Sequence, residues 1–453
     1  MTAEPNQPTD DQQPDDRQPV CYSATRRQFL AALGATVAVG AAGGYGLAVW
    51  GRNNAVAAPG TTTTTGPTTT SMPAGTAGPI TDRTLVIVEM GGGNDGLNMV
   101  VPHATNTYYD LRRDLAIETP LDLDGEIGLH PDLTFIANRF GAGDVAVVEG
   151  VGYPDPNLSH FASMATWWSG LPGSIGQTGW LGRYLDGTVG SNDPLAGVSI
   201  GPGPTPAMAG ERSFVVTVQD MTGLAPSLPP WIDTNDELLS MWQGFAPANF
   251  DGAVLLDQVR SAIDTTVKAA EQLSDILGQP PEPVDGEQRG GRRRGDLTSY
   301  MEVAAALVVA PNAPKVVYVH GWGDFDVHEG HADRHQAMMQ VLNEALTEFF
   351  GTVDEAGVSD KVMVMTTSEF GRRPEYNGSG TDHGTAAAHL LIGSPVAGGR
   401  FGEPPSLTSL DTRGNMTHTV DYRSLYASVL SGYLGADADS LLGAPYEPLP
   451  LFS

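Results

Sequence analysis

The stretch Thr84-Leu-Val-Ile-Val-Glu-Met-Gly-Gly-Gly-Asn-Asp-Gly-Leu-Asn98 decides the fold of this chain. Its apolar, β-branched run reads as a strand covered on both faces, and the glycine loop that follows ends it. Four further runs, at 144–149, 315–320, 361–367 and 389–393, have the same character. Helical periodicity fills the gaps over 131–140, 158–168, 255–277, 331–350 and 421–434. This alternation predicts an α/β fold with an open, mostly parallel sheet sandwiched between helices. No internal repeat is present.

Open α/β sheets bind ligands beyond the carboxyl ends of their strands, so the residues there carry the chemistry. After the first strand, the glycines permit close approach of a ligand, and Asp95 is a carboxylate able to ligate a metal. The glycine spacing is not that of a dinucleotide fingerprint. The 315–320 run leads into Val319-His-Gly-Trp-Gly-Asp-Phe-Asp-Val-His-Glu-Gly-His331, with His335 one turn on. Asp326 and His328, in an Asp-x-His pattern, can converge on one cation. His331 and His335 open a helix and are expected to face solvent. His328 and His331 are one residue too close for the H-E-x-x-H zinc helix.

The 361–367 run ends in Thr366-Thr-Ser-Glu-Phe-Gly-Arg-Arg373, followed by Gly380-Thr-Asp-His-Gly384. Glu369, Asp382 and His383 are therefore further ligand candidates. Asn157-Leu-Ser-His-Phe161 begins a helix, where Ser159 is either an N-cap or a nucleophile beside an anion-binding helix start. Gly197-Val-Ser-Ile-Gly201 matches the serine-hydrolase elbow, but Pro202-Gly-Pro-Thr-Pro206 forbids the helix an elbow needs. Ser199 is expected at an ordinary strand end.

Composition narrows the function classes. The chain has 453 residues, 53 acidic against 24 basic, and a net charge of -29, which argues against a nucleic-acid partner. The one cysteine, Cys21, precedes an apolar run in 31–50 headed by Ser23-Ala-Thr-Arg-Arg-Gln-Phe-Leu30. Paired arginines before a weakly hydrophobic core are those of a twin-arginine signal, which exports folded proteins. Small residues at Ala55-Val-Ala57 suit cleavage, and five glycines between Gly34 and Gly46 weaken a permanent span. Cleavage would leave no cysteine, hence no disulfide, thiol nucleophile or iron–sulfur cluster. The expected organisation is a leader and signal over 1–58, a Thr/Pro-rich linker over 59–79 and one domain over 80–453. A polar excursion at 279–296 carries Arg289, Arg292, Arg293 and Arg294 as a solvated loop.

Taken together, the twin-arginine signal, Glu89-Met-Gly-Gly-Gly-Asn-Asp-Gly-Leu-Asn98, Ser159-His-Phe161 and Thr178-Gly-Trp-Leu-Gly-Arg183 resemble an exported bacterial family. Phe325-Asp-Val-His328, Ser368-Glu-Phe-Gly-Arg372, Gly380-Thr-Asp-His-Gly384 and Asp421-Tyr-Arg-Ser-Leu-Tyr426 complete the resemblance. The family is catalogued as domain of unknown function fifteen-oh-one and grouped with the alkaline phosphatase and sulfatase superfamily. The resemblance implies an alkaline phosphatase-like fold and divalent metal ions (zinc, magnesium, manganese or calcium). It implies Asp95, Asp326 (or Asp324), His328, Glu369 and His383 as ligands and Ser159 as the metal-activated nucleophile. Phe370 stands where the superfamily has a ligand histidine, with Asp382 as the substitute carboxylate. Arg372 or Arg373 would clamp the oxyanion. Two functions follow as expectations. One is metal-dependent hydrolysis of a small anionic phosphate or sulfate ester, after passage through the twin-arginine translocase to the periplasm, envelope or exterior. The other is a non-catalytic cell-envelope binding module on the same fold.

Overall fold

The computed structural model describes residues 82–171, 178–188, 193–218, 254–278 and 296–452, with two short strands at Thr36–Val37 and Ala48–Trp50. The rest of the expected signal segment, the expected linker over 59–79 and the four-arginine excursion lie outside the described residues.

The central sheet is built from β1 (Thr84–Glu89), β2 (Val145–Gly152), β3 (Gly197–Ile200), β4 (Val215–Val218), β5 (Val316–Val319), β6 (Val362–Thr367), β7 (Ala387–Ile392), β8 (Gly399–Phe401) and β9 (Val420–Asp421). Its order is β4-β3-β5-β1-β6-β7-β2-β8, with β9 also paired to β2. Ala48–Trp50 lies antiparallel outside β4, and Thr36–Val37 lies outside that. Among β1 to β9 only β7 runs against its neighbours. The apolar run at 389–393 therefore departs from the parallel expectation. Burial on both faces erases the alternation that would mark an antiparallel strand, so direction is not encoded there.

Successive β1 side chains divide between two cores. Val86 and Val88 join one with Met339, Leu342 and Phe349, while Leu85 and Ile87 join the other with Trp180, Tyr422 and Leu430. The first core is roofed by α4 (Leu297–Val308) and α5 (His331–Glu355), the second by α1 (His160–Ser169), α2 (Trp180–Thr188) and α6 (Tyr422–Ser428). α3 (Val254–Leu277) packs on α4. The fold is thus a mostly parallel sheet between two helical layers, as the sequence predicts. Each fully buried core leucine or valine contributes roughly 1.5–3 kcal/mol to this sandwich.

Local chemistry sets the helix ends. α5 stops where Gly357 takes φ +69°, with Gly357 N–H donating to Asp354 O and Val358 N–H to Val353 O, a Schellman closure. The helix expected over 421–434 runs as α6 and then widens into a π-turn at Val429–Tyr433. Ser199 is a fully buried strand residue, followed by a proline-rich bend rather than a helix. No helix among the described residues is long and apolar enough to cross a membrane.

Candidate metal centre

Four segments meet at the carboxyl edge of the parallel strands. β5 leads to Asp326 and His328, β6 to Glu369, β2 to His160 at the start of α1, and a small hairpin (Arg372–Tyr376 with Thr381–His383) brings in His383. One ligand atom each from His160, Asp326 and His383 lies within 4.8 Å of the others. His383 Nε2 is 3.0 Å and His328 Nε2 2.9 Å from Asp326 Oδ1, while His160 Nε2 is 3.3 Å from Oδ2.

The other ring nitrogens decide what this cluster can hold. His160 Nδ1 lies 2.7 Å from Glu369 Oε1, and His383 Nδ1 lies 3.0 Å from the Leu158 carbonyl. Both neighbours accept a proton, so the neutral rings carry their hydrogens there and turn bare Nε2 lone pairs toward Asp326. His160 Nε2 is buried and makes no hydrogen bond. His328 Nε2 and His383 Nε2 also lie only 3.1 Å apart. Bare nitrogens facing a carboxylate repel unless a proton or a metal cation lies among them. Donor atoms 2.0–2.1 Å from a tetrahedral ion sit roughly 3.3 Å from one another, and His383 Nε2 and His160 Nε2 lie 3.0 and 3.3 Å from the Asp326 carboxylate. The residues present therefore fit a divalent ion with nitrogen and oxygen ligands.

The family match falls on this same framework. The family described as "Protein of unknown function (DUF1501)" matches residues 145–443, two thirds of the chain. The chain belongs to that family. No curated protein matches it. Among solved structures, an alkaline phosphatase superfamily protein from Vibrio parahaemolyticus is 9% identical over 83% of this chain and 73% of its own, with a TM-score of 0.34. The PsFucS1 sulfatase from Pseudoalteromonas sp. is 13% identical over 80% and 68%, with a TM-score of 0.34. Alkaline phosphatase from the Antarctic bacterium TAB5 is 11% identical over 69% and 92%, with a TM-score of 0.28. Strand order and direction establish the layered α/β fold independently of these likenesses.

In this DUF1501 protein several expected residues stand apart from the cluster. Asp95 is fully buried and bound bidentately by Arg112 at 2.6 and 2.7 Å, with His331 Nε2 at 2.8 Å. Burial alone would raise its pKa, but Arg112 and His331 outweigh it and hold the carboxyl well below the usual range. Its oxygens are taken. Asp382 is held by Arg373 at 3.2 Å and Asn377 at 3.0 Å. Asp324 pairs with Arg334 instead. Arg372 is buried beneath the site, donating to the carbonyls of Gly92, Gly93, Phe325 and Thr381 and to Asp326. It tethers the loops and has no face left for an oxyanion.

Glu369 is bonded to His160 and to the glycine loop. Gly92 N–H donates to its two oxygens at 2.9 and 3.1 Å, and the His160 contact uses one of them again. The close approach expected of the glycine loop is made by protein: a Cβ on Gly92 would sit 2.4 Å from Asp326 N, and one on Gly93 2.3 Å from the Phe370 ring. Phe370 packs against the site, its ring 4.9 Å from that of His160 and 4.8 Å from that of His383. His160, which the sequence reading passed over in favour of Ser159, supplies the imidazole. Ser159 itself is exposed at the N-cap position and makes no side-chain cap bond.

Charge follows geometry. With no ion bound, burial pushes the Asp326 carboxyl up, but a His383 ring that carries its proton at Nε2, together with Arg372, outweighs it and brings it to about 2; an ion takes the place of that proton. The Glu369 hydrogen bond raises the His160 imidazole, making it a stronger base and a better ligand. Glu369→Gln keeps the shape and removes that charge. The variant is expected to bind zinc about 10–100-fold more weakly by isothermal titration, with wild-type circular dichroism.

His331 and His335 are buried, against the solvent-facing expectation. His335 Nε2 lies 3.1 Å from Asn94 Oδ1, and its ring stacks on His331. Burial lowers His335 from 6.5 to about 3 and His389 to about 4. Both folded values lie below the unfolded one, so the unfolded chain binds protons the folded chain refuses. Stability is full above the unfolded value and falls by about 1.4 kcal/mol per pH unit per residue as pH drops from 6.5 toward 5. Urea unfolding at pH 7.5 and 5 is expected to record this loss, and His335→Gln to reduce it.

Proposed function

We propose that the protein is an exported divalent-metal-dependent hydrolase of phosphate or sulfate esters. His160, Asp326 and His383 hold the ion, His328 stands at its open side, and Ser159 is the nucleophile. The observation that carries this reading is the pair of imidazoles whose protons are committed to Glu369 and Leu158, so that both lone pairs face Asp326. An ion bound there supplies Lewis acidity toward an ester oxygen and toward a nearby hydroxyl. Ser159 adjoins His160, at the start of a ten-residue helix whose N-terminal dipole favours an anion. His328, 47% exposed, is placed to exchange a proton with the leaving group.

The overall charge of -29 opposes long-range attraction of an anionic ester, so affinity must come from the centre itself. The twin-arginine segment supports export after folding, with the translocase as transient partner and the envelope, periplasm or exterior as destination. Purified protein reconstituted with zinc, magnesium, manganese or calcium is to be assayed on p-nitrophenyl phosphate and p-nitrophenyl sulfate. Turnover that disappears in Ser159→Ala, with metal content unchanged, is the expected result. No turnover on either ester with any of the four ions would remove the hydrolase reading. A metal-dependent envelope binding module is the second reading, favoured by the commitment of Arg372 to carbonyl oxygens. Under it Ser159→Ala retains cellular function and His160→Ala does not.

A further inference from the structure

Away from the metal centre, a cavity of about 500 Å³ lies between the β2–β8 side of the sheet and the loops at 102–107 and 404–408. None of its lining residues belongs to the metal centre. Its size is that of a small-molecule site. Much of the wall is small or apolar, including Ala386, Ala387, Leu97 and Ile127. The exception is a charged corner.

That corner lies beside an irregularity in the sheet. Val151 pairs with Ala387 but Val148 with His389, so β2 carries one residue more than β7 across the same interval. Gly150 absorbs the bulge at φ +69°, where a Cβ would sit 1.9 Å from Thr419 Oγ1. Alternation along β2 places Glu149, only 6% exposed, on the same face as Val145 and Val147, the face that the cavity borders, and the bulge that follows it resets the register from Val151 on. Arg400 meets Glu149 at 2.9 Å, Asp124 at 3.1 Å and Glu126 at 2.7 Å. Its contacts with Glu149 all end on Oε2, so Oε1 keeps its lone pairs. Three carboxylates on one guanidinium leave two negative charges in excess beside an apolar chamber.

The geometry points to a second ligand site, specific for a small organic monocation: a primary ammonium head at Glu149 and Glu126, with an apolar body along the alanine wall. Burial raises the Glu149 carboxyl despite Arg400, so a second cation there relieves a charge the fold holds at a cost. A single hydrocarbon chain fits where Ala386 and Ala387 leave room, and an anionic head would meet like charge. This site is independent of the ester-hydrolase reading.

The test uses n-hexylammonium, with hexanoate and hexanol as controls, titrated into the full chain after EDTA treatment so that no metal takes part. Saturable hexylammonium binding, at least about tenfold tighter than either control, is expected. Glu126→Gln, at an exposed position that folding tolerates, should weaken it several-fold, and Ala104→Trp, which fills the mouth, should abolish it. Neither variant should change metal content. Equal affinity for the three probes, no saturable binding, or binding indifferent to Ala104→Trp would overturn the proposal.

Discussion

Asp326→Asn is expected to lose metal affinity by on the order of 10³-fold, well beyond the 10–100-fold effect of removing an outer partner. The carboxylate lies within reach of all three imidazoles, at 2.9, 3.0 and 3.3 Å. Asparagine keeps one oxygen but places an amide, without charge and with hydrogens, against bare nitrogens. Arg372 retains its four carbonyl partners, so the loops stay tied. Zinc titration of the folded variant measures the effect. Unchanged affinity would reduce the cluster to an ordinary hydrogen-bonded network. Any ester turnover should fall in parallel.

The second large effect concerns stability. Asp95→Ala leaves the Arg112 guanidinium fully buried without its carboxylate, with Nε already lacking a partner. Breaking a buried pair in this way costs about 3–5 kcal/mol. Guanidinium unfolding is expected to show that loss, while the folded fraction at low denaturant keeps its zinc affinity. The double variant Asp95→Leu, Arg112→Met removes both charges and should recover most of the stability. A metal ligand behaves differently: affinity falls, and no change at Arg112 restores it.

These two residues also mark what can be read from the sequence. Asp326 was legible because Asp-x-His, directly after a buried apolar run, has few uses other than holding a charge. His383 and Glu369 were legible as polar residues just past a strand. Asp95 satisfies the same local rule, yet its partner Arg112 lies in a seven-residue helix with no periodic signature, and only the folded chain brings them together. His160 was hidden by its neighbour, since serine at a helix start draws the nucleophile or cap reading. The Ser-His-Phe order at the end of β2 was the available signal, as an imidazole opening a helix at the ligand edge of the sheet can turn inward. Arg372 was misread because its burial depends on loops separated from it by up to 280 residues. The layered fold was legible throughout, because strands buried on both faces must be nearly continuous in apolar residues. The reversed direction of β7 was not, for the same reason.

Anomalous diffraction from crystals of the protein soaked in zinc tests the metal centre most directly. The expected result is a peak bounded by His160 Nε2, His383 Nε2 and the Asp326 carboxylate, with His328 beside it and Glu369 one shell behind. No peak in that space, or one at Asp95 in place of the Arg112 pair, would contradict it.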